Sequence, residues 1–557
     1  MKKDVLVFIL IFIVSFFTLK DLWIPNMYTS HDGAHQVVRL YYWDQAIRDG
    51  QIPPRWINGL SNGYGYPLFI FSYQAPWMIA EPFMILGIPL FLSLKITFFL
   101  TFVLSGFTIY IFEKRLFGRF AGLVATAIYL FAPYRFANIF VRASIGDATA
   151  FIFIPLLFIA LHNIVGKSKF DYKAVALGSL SFAALLLSHA MVFFLVGLSM
   201  ALFTLYFLFF AKNKKIFILN IIFIALLGSL ISSYYLIPSI IERNYTQFSE
   251  IFQSVFAANT FLSLKELIYT PWGYGVLGSA EGAMSLQIGF AQIGSFLIAV
   301  ALIILNFFRK KKIFDTSQIK IAAFYILLFI FSIFMTQKSS LVVWTLINRF
   351  IIIDFTWRIL PLAVLAASVL AGFIVSRGRY RYILAVFIVS LSLYANRNHI
   401  HINQSLDWQV PFFLKLEKTT NSYDEYTPKW ATKDKLEIPH TPLNFIQGNG
   451  KYTLLSSDTY SLQAAIETSQ SAKIRINTIY FPGWTVAVNQ LPQPVDYTSG
   501  FMDVGIPKGS SQLKAQFTQT PLNKFSNILT LIGLLTAVIF IFKKDSRQNK
   551  SYNRNKD

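Results

Sequence analysis

The chain has 557 residues, 49 Lys and Arg against 27 Asp and Glu, a formal net charge of +22, and 14% charged beside 55% hydrophobic residues. A soluble domain is about one-quarter charged. The balance therefore argues against a soluble enzyme, a disordered chain or a fibrous repeat, and for a polytopic membrane protein with basic loops. Nucleic-acid binding, another common reading of excess basic charge, is disfavoured because the basic residues lie in short clusters between apolar runs. With no cysteine there is no disulfide framework, thiolate metal site or cysteine nucleophile.

The N-terminus, Met1-Lys2-Lys3 and an apolar run to Leu19, has the look of a signal sequence. No small-x-small cleavage site follows, so it is read as a retained first membrane helix. Six later basic clusters occupy 113–119, 166–173, 212–215, 309–320, 377–381 and the tail from 543. With the N-terminus they hold 25 of the 49 basic residues and 6 of the 27 acids. The positive-inside rule makes these segments cytoplasmic, so each interval between them holds an even number of spans. Spans are expected near 5–20, 94–112, 120–134, 148–164, 174–188, 191–211, 216–238, 287–308, 320–335, 358–375, 382–396 and 525–542, about twelve in all, with both termini cytoplasmic in the inner membrane. Residues 67–92 carry Pro67, Pro76, Pro82, Pro89 and Glu81. They are read as helices at the outer face, because repeated prolines break backbone pairing that lipid cannot replace; a kinked span is the alternative.

The fold class is thus an all-α polytopic membrane bundle, 1–396, with outward segments 21–93, 134–147, 239–286 and 336–357 and a tip at Ser188–Ala190. A β-rich extracytoplasmic domain, 397–524, precedes the last span and tail, 525–557. In that domain Lys473–Tyr480 alternates with period two, Trp484–Val488 and Gln512–Phe517 do so more weakly, and Pro and Gly punctuate between them. A small β-sandwich is expected, with a structural or partner-binding role and no catalytic constellation.

The first outward segment contains Ser30-His-Asp-Gly, with Ser30 or Asp32 able to cap a helix starting near Gly33 and ending at Gly50. Two apolar strips, Leu40/Trp43/Ile47 and Val37–Tyr41 with Val38–Tyr42, put this helix in apolar contact on two sides. His31 and His35, at i and i+4, could hold a metal on a helix; a wet loop–helix junction is the simpler reading. Asp32 reads as a cap or as a base facing an outer cavity. Tyr134, Arg135, Arg142 and Asp147 stand in the second segment and Ser188-His189 at the third tip. Arg349, Asp354 and Arg358 stand at the outer end of the span from 358. Charges at that depth are costly unless paired or wet. A water-filled cavity would account for Asp32, Arg39, Arg55, Asp147, His189, Arg349, Asp354 and Arg358 together; snorkelling and scattered salt bridges are the competing account.

Four motifs carry a resemblance. They are Ser30-His-Asp-Gly with Arg39 and Pro54-Arg-Trp56; Tyr134-Arg135 with Val141-Arg-Ala-Ser-Ile-Gly-Asp147; Phe355-Thr-Trp-Arg-Ile-Leu360; and Tyr480-Phe-Pro-Gly-Trp484 with Val504-Gly-Ile-Pro-Lys-Gly509. In their order and shared placement the chain resembles the GT-C superfamily of membrane glycosyltransferases. More closely it resembles bacterial membrane proteins of the YfhO-like and "6-pyruvoyl-tetrahydropterin synthase-related" kinds; it shows no soluble pterin-synthase fold or zinc histidines. The resemblance implies catalytic roles for Asp32 and, assisting, Asp147. It also implies substrate binding by His31, His35, Arg39, Arg55, Arg135, Arg142, His189, Arg349 and Arg358. The donor it implies is a polyprenyl-phosphate sugar, the acceptor an unidentified glycan, lipid or protein, with membrane lipid as a further partner and no nucleic acid. No cofactor is certain; a divalent cation is a possibility. Asp354 has no role from the resemblance, and an Asp354–Arg358 helix pair is the plain reading there. A flippase or transporter of a lipid-linked intermediate and a non-catalytic envelope scaffold are the alternatives. The transporter predicts mid-span charges and paired broken helices.

Overall fold

The computed structural model describes residues 2–252, 260–276, 282–349, 351–432 and 440–543. Most of the basic tail, and parts of the 239–286, 336–357 and 397–524 segments, lie outside the described residues. Among those described, eight helices are long and apolar enough to cross a membrane. They are Leu90–Phe117, Ile145–Val165, Ala190–Leu208, Lys214–Ile231, Phe290–Phe308, Thr316–Thr336, Thr356–Ser376 and Pro521–Phe542. Arg119–Leu130 and Pro133–Val141, bent by 53° at their junction, make a ninth if counted as one span.

The expected count of about twelve is not reproduced at full span length. The helices at three of the expected positions, Lys2–Thr18, Tyr172–Ser188 and Arg381–Asn396, have only 17, 17 and 16 residues. A bilayer core takes about 20. A further difference is Leu90–Phe117, whose 28 residues make a helix of about 42 Å, longer than the run expected at 94–112. Burial begins at its second turn, at Ser93–Lys95. Lys95 there is spent on three carbonyls, those of Ile24, Pro25 and Asn26.

The helix at the centre of the bundle is Leu360–Ser376, buried at every position from Leu360 to Val375. A helix apolar all round belongs inside a core. Its Ala363, Ala366, Ala367, Ala371 and Gly372 let neighbouring backbones approach closely. Asp4 receives Lys114 Nζ at 2.8 Å and Arg119 Nε at 3.3 Å. That contact ties the first helix to the 113–119 cluster. Lys543 lies 3.8 Å from the Tyr172 ring centre, which brings the end of the last helix to the 166–173 cluster. Both ends of the described chain therefore sit at the basic end of the bundle.

Between 443 and 517 the chain forms two antiparallel sheets. One has five strands in the order Gly450–Ser457, Ser461–Thr468, Gly509–Phe517, Trp484–Val488, Leu491–Gln493. The other has three, Leu443–Gln447, Ala472–Ile479 and Phe501–Ile506. Ile474 and Ile476 point inward while Lys473 and Arg475 point outward, the alternation a half-buried strand requires. Both sheets share one apolar core, and Trp56, Tyr64, Ile70 and Phe71 from the first segment enter it. Trp56 is fully buried, stacked on Phe517 and edge-on to Trp484. A second tie is the short antiparallel pairing of Met27–Tyr28 with Ser405–Leu406.

Candidate active site

The site is built on a break between two helices. Pro133 opens the second half of the bent pair; having no N–H, it suits a helix's first turn. Over Ala137–Val141 the backbone widens, and Arg142 N–H donates to Ala137 O at 2.8 Å, five residues back. Such wide turns recur at functional sites. Ala143 then takes φ +52°, and Ile145–Val165 begins with Asp147 in its first turn, where the helix dipole favours a carboxylate. Arg142 and Asp147 thus face each other across one interruption of the chain.

Asp147 is fully buried and lies 2.5 Å from Arg142 Nη1. Arg358 Nη1 lies 3.4 Å from both its oxygens, and His189 Nε2 3.5 Å from Oδ1. Arg358 also grips Asp354 with Nε and Nη2, each at 2.7 Å. Two guanidinium groups and two carboxylates balance, which is what burial of charge requires. Arg358 Nη1 donates to His189 Nε2 at 3.1 Å, so the imidazole is neutral with its proton assigned to Nδ1. His189 Nδ1 is buried without a partner among the described residues. Arg142 also donates from Nη1 to Asn138 Oδ1 at 2.6 Å and stacks over Trp357. Gly146 makes the cluster possible: a Cβ there would come within 2.7 Å of Ser188 O, holding His189 away from Asp147.

The first segment is pinned onto this break. His31 N–H donates to Val141 O at 3.0 Å and Asp32 N–H to Arg142 O at 2.8 Å. Gln36 Nε2 donates to Ala143 O. Asp32 occupies the position before the helix Gly33–Arg48, but its side chain caps nothing. Its carboxylate has no hydrogen bond or ion pair among the described residues. It lines a cavity of about 490 Å³ together with His31, His35, Arg39, Arg142, His189, Asp354 and Arg358. Thr420, Asn421, Ser422, Glu425 and Tyr426 form another wall, held by Arg39, which donates to Thr420 Oγ1 at 2.9 Å and Thr420 O at 2.5 Å, and by a 2.6 Å His35–Glu417 contact just before it.

Four expected residues do not line the cavity: Asp147, fully buried behind Arg142 and Arg358, and three that lie away from it. Arg135 is fully buried against Phe102, Tyr129 and Phe151 and donates to Ser105. Arg55 donates to Tyr234 O and to Asn527 of the last helix. Arg349 is exposed. His31 turns to Tyr274 O and His35 to Glu417, so they do not converge. No group of three or more His, Asp and Glu with metal-binding geometry occurs among the described residues. Sequence reasoning missed the wall at 420–426, Tyr73 under Arg39, and Asn138.

A family model for the 6-pyruvoyl-tetrahydropterin synthase related domain, a membrane protein, matches residues 73–409. The chain belongs to this family. It is a multi-pass membrane protein. The matched region holds Arg142, Asp147, His189, Asp354 and Arg358; Asp32 and the 420–426 wall fall outside it. An uncharacterized protein of Lactococcus lactis subsp. cremoris (strain MG1363) is 24% identical over 188 residues, 33% of this chain and 30% of that protein. Among solved structures, the arabinofuranosyltransferase AftD from Mycobacteria is similar at 13% identity and a TM-score of 0.45, over 72% of this chain and 27% of that one. The Archaeoglobus fulgidus oligosaccharyltransferase in its apo form is similar at 10% identity and a TM-score of 0.42, over 72% and 56%. The similarity thus spans under a third of the Lactococcus protein and of AftD.

Proposed function

We propose that this chain is a glycosyltransferase acting at the outer face of the cytoplasmic membrane, moving a sugar from a polyprenyl-phosphate donor to an acceptor hydroxyl. One observation carries the reading: Asp32 is an uncommitted carboxylate in the same cavity as Arg142, His189 and Arg358. Ile145–Val165 and Thr356–Ser376 each start beside this cavity and run into a basic cluster, 166–173 and 377–381, which by the positive-inside rule supports a cavity at the outer face and cytoplasmic termini.

In the proposed step the acceptor oxygen bonds to the anomeric carbon and the bond from that carbon to the phosphate oxygen breaks. Asp32 takes the hydroxyl proton, and polyprenyl phosphate leaves with the bonding pair. Arg142 keeps Nη2 free of hydrogen bonds to described residues, and fixed guanidinium donors in a closed site stabilise growing phosphate charge. Asp147 and Asp354, already bonded, position Arg142 and Arg358. A divalent cation is assigned no residues and no step.

The test is Asp32→Asn. The expected result is loss of sugar incorporation from polyprenyl-phosphate donors into envelope glycans, in a strain lacking the wild-type copy, with the variant present at wild-type level. Unchanged incorporation overturns the reading.

A further inference from the structure

The cavity has two walls of opposite chemistry. One presents the guanidinium groups of Arg142 and Arg358. The other, residues 419–427, reads Thr-Thr-Asn-Ser-Tyr-Asp-Glu-Tyr-Thr and has no basic residue of its own; the Arg39 guanidinium that meets it spends Nε and Nη2 on Thr420. On it Asn421 Nδ2 donates to Glu425 Oε1 at 2.9 Å. Asn421 Oδ1 and Glu425 Oε2 are buried with no hydrogen-bond partner among the described residues, although Glu425 is only 8% exposed. Unmet buried acceptors cost free energy and call for an explanation. Next to them Tyr426 stacks on Phe71 at 4.5 Å and on Phe248 at 5.8 Å; Phe71 and Tyr426 both line the cavity.

This wall is held stiffly. Thr420 and Asp424 adopt φ +62° and +52°, a region costly for residues other than glycine and concentrated at ligand clamps. Thr419 Oγ1 donates to Asp424. The helix Gly33–Arg48 holds the segment at Thr420 through Arg39 and its approach at Glu417 through His35, so Asp32 and Glu425 are tied to the same helix.

We propose that Asn421 and Glu425, beside Tyr426, form a carbohydrate subsite that binds the hydroxyls of the acceptor. This rests on the transferase reading above. Unpaired oxygen acceptors want donors, and sugar hydroxyls donate. A phosphate brings only acceptors and negative charge, and is directed to the opposite wall.

The test uses the full chain in lipid nanodiscs with two probes. Methyl glycosides (methyl α-glucopyranoside, α-galactopyranoside and α-arabinofuranoside) are followed by saturation-transfer NMR. Radiolabelled farnesyl phosphate is followed by equilibrium dialysis against empty nanodiscs. At least one glycoside should bind the wild type. Glu425→Ala and Asn421→Ala should each weaken it by about tenfold, the loss of one hydrogen bond to a charged or buried acceptor, with farnesyl phosphate binding unchanged. Glu425→Gln, which keeps volume, should weaken it less and serves if the alanine variant does not fold. Glycoside binding absent in the wild type, retained in the alanine variants, or lost together with farnesyl phosphate overturns the subsite. Glycoside binding that behaves as expected while farnesyl phosphate fails to bind the wild type supports the subsite and counts against the transferase reading instead.

Discussion

Asp32 and Asp147 are both carboxylates at the start of a helix, yet their surroundings set them to different work. Asp147 is fully buried and pairs with two guanidinium groups; the Asp32 carboxylate forms no hydrogen bond or ion pair among the described residues. Removing one partner of a buried ion pair leaves the other uncompensated, at about 3–5 kcal/mol. Asp147→Asn should therefore lower the thermal unfolding midpoint in detergent as well as activity. Asp32→Asn should leave that midpoint at or above wild type while transfer is lost. Equal midpoints for the two variants would contradict this division of labour. At this scale the sequence was informative about residue type and less so about commitment. The spacing of Asp354 and Arg358 already implied their pair, and the structure adds that Arg358 spends a further donor on Asp147 and His189. Spacing cannot reveal that Asp32 caps nothing, because its backbone is fixed by donation of its N–H to Arg142 O, far along the chain.

At the scale of elements, the decisive contact is between the start of Ile145–Val165 and the turn at Ser188–His189. Gly146→Ala should force these apart, costing about 1–3 kcal/mol as overpacking does and separating His189 from Asp147. The unfolding midpoint and the transfer rate should fall together, and a variant with wild-type values in both would show that the close approach is not needed. The Ile-Gly-Asp run was visible in the sequence, but its reason lies in the backbone oxygen of Ser188. The basic connectors were legible because charge clusters survive any uncertainty in helix ends. Span number was less legible: helices of 16 and 17 residues sit on the margin of spanning length. The wall at 420–426 was not legible at all. Its Thr, Asn, Ser and Asp have the composition of an ordinary loop, and its tie to Arg39 joins residues 381 positions apart.

For the molecule as a whole, the β-rich unit is fastened to the bundle by side chains of the first segment. Trp56→Ala removes a fully buried indole from the sandwich core, a change of about 3–5 kcal/mol. It should increase cleavage between 397 and 443 under limited proteolysis while the helices remain intact. A second seam lies where Glu242 meets Thr520, Asn523 and Arg55. Burial raises the Glu242 carboxyl to about 7, partly opposed by Arg55 and by its bonds to Asn523 and Thr520. The folded state then holds a proton that the unfolded chain releases near the ordinary value of about 4.3. This favours folding below that value, and the advantage is lost as pH rises toward 7. Glu242→Gln should flatten the pH dependence of the unfolding midpoint over this window and raise the midpoint at pH 8. An unchanged slope would show that Glu242 does not titrate there.

The segment that completes the cavity, 417–426, follows every helix of the bundle except the last. During synthesis the ribosome has already delivered Asp32, Asp147 and Arg358 to the bilayer before Glu417 and Thr420 emerge to meet His35 and Arg39. A nascent chain cut short before that point carries the charged groups without their cover.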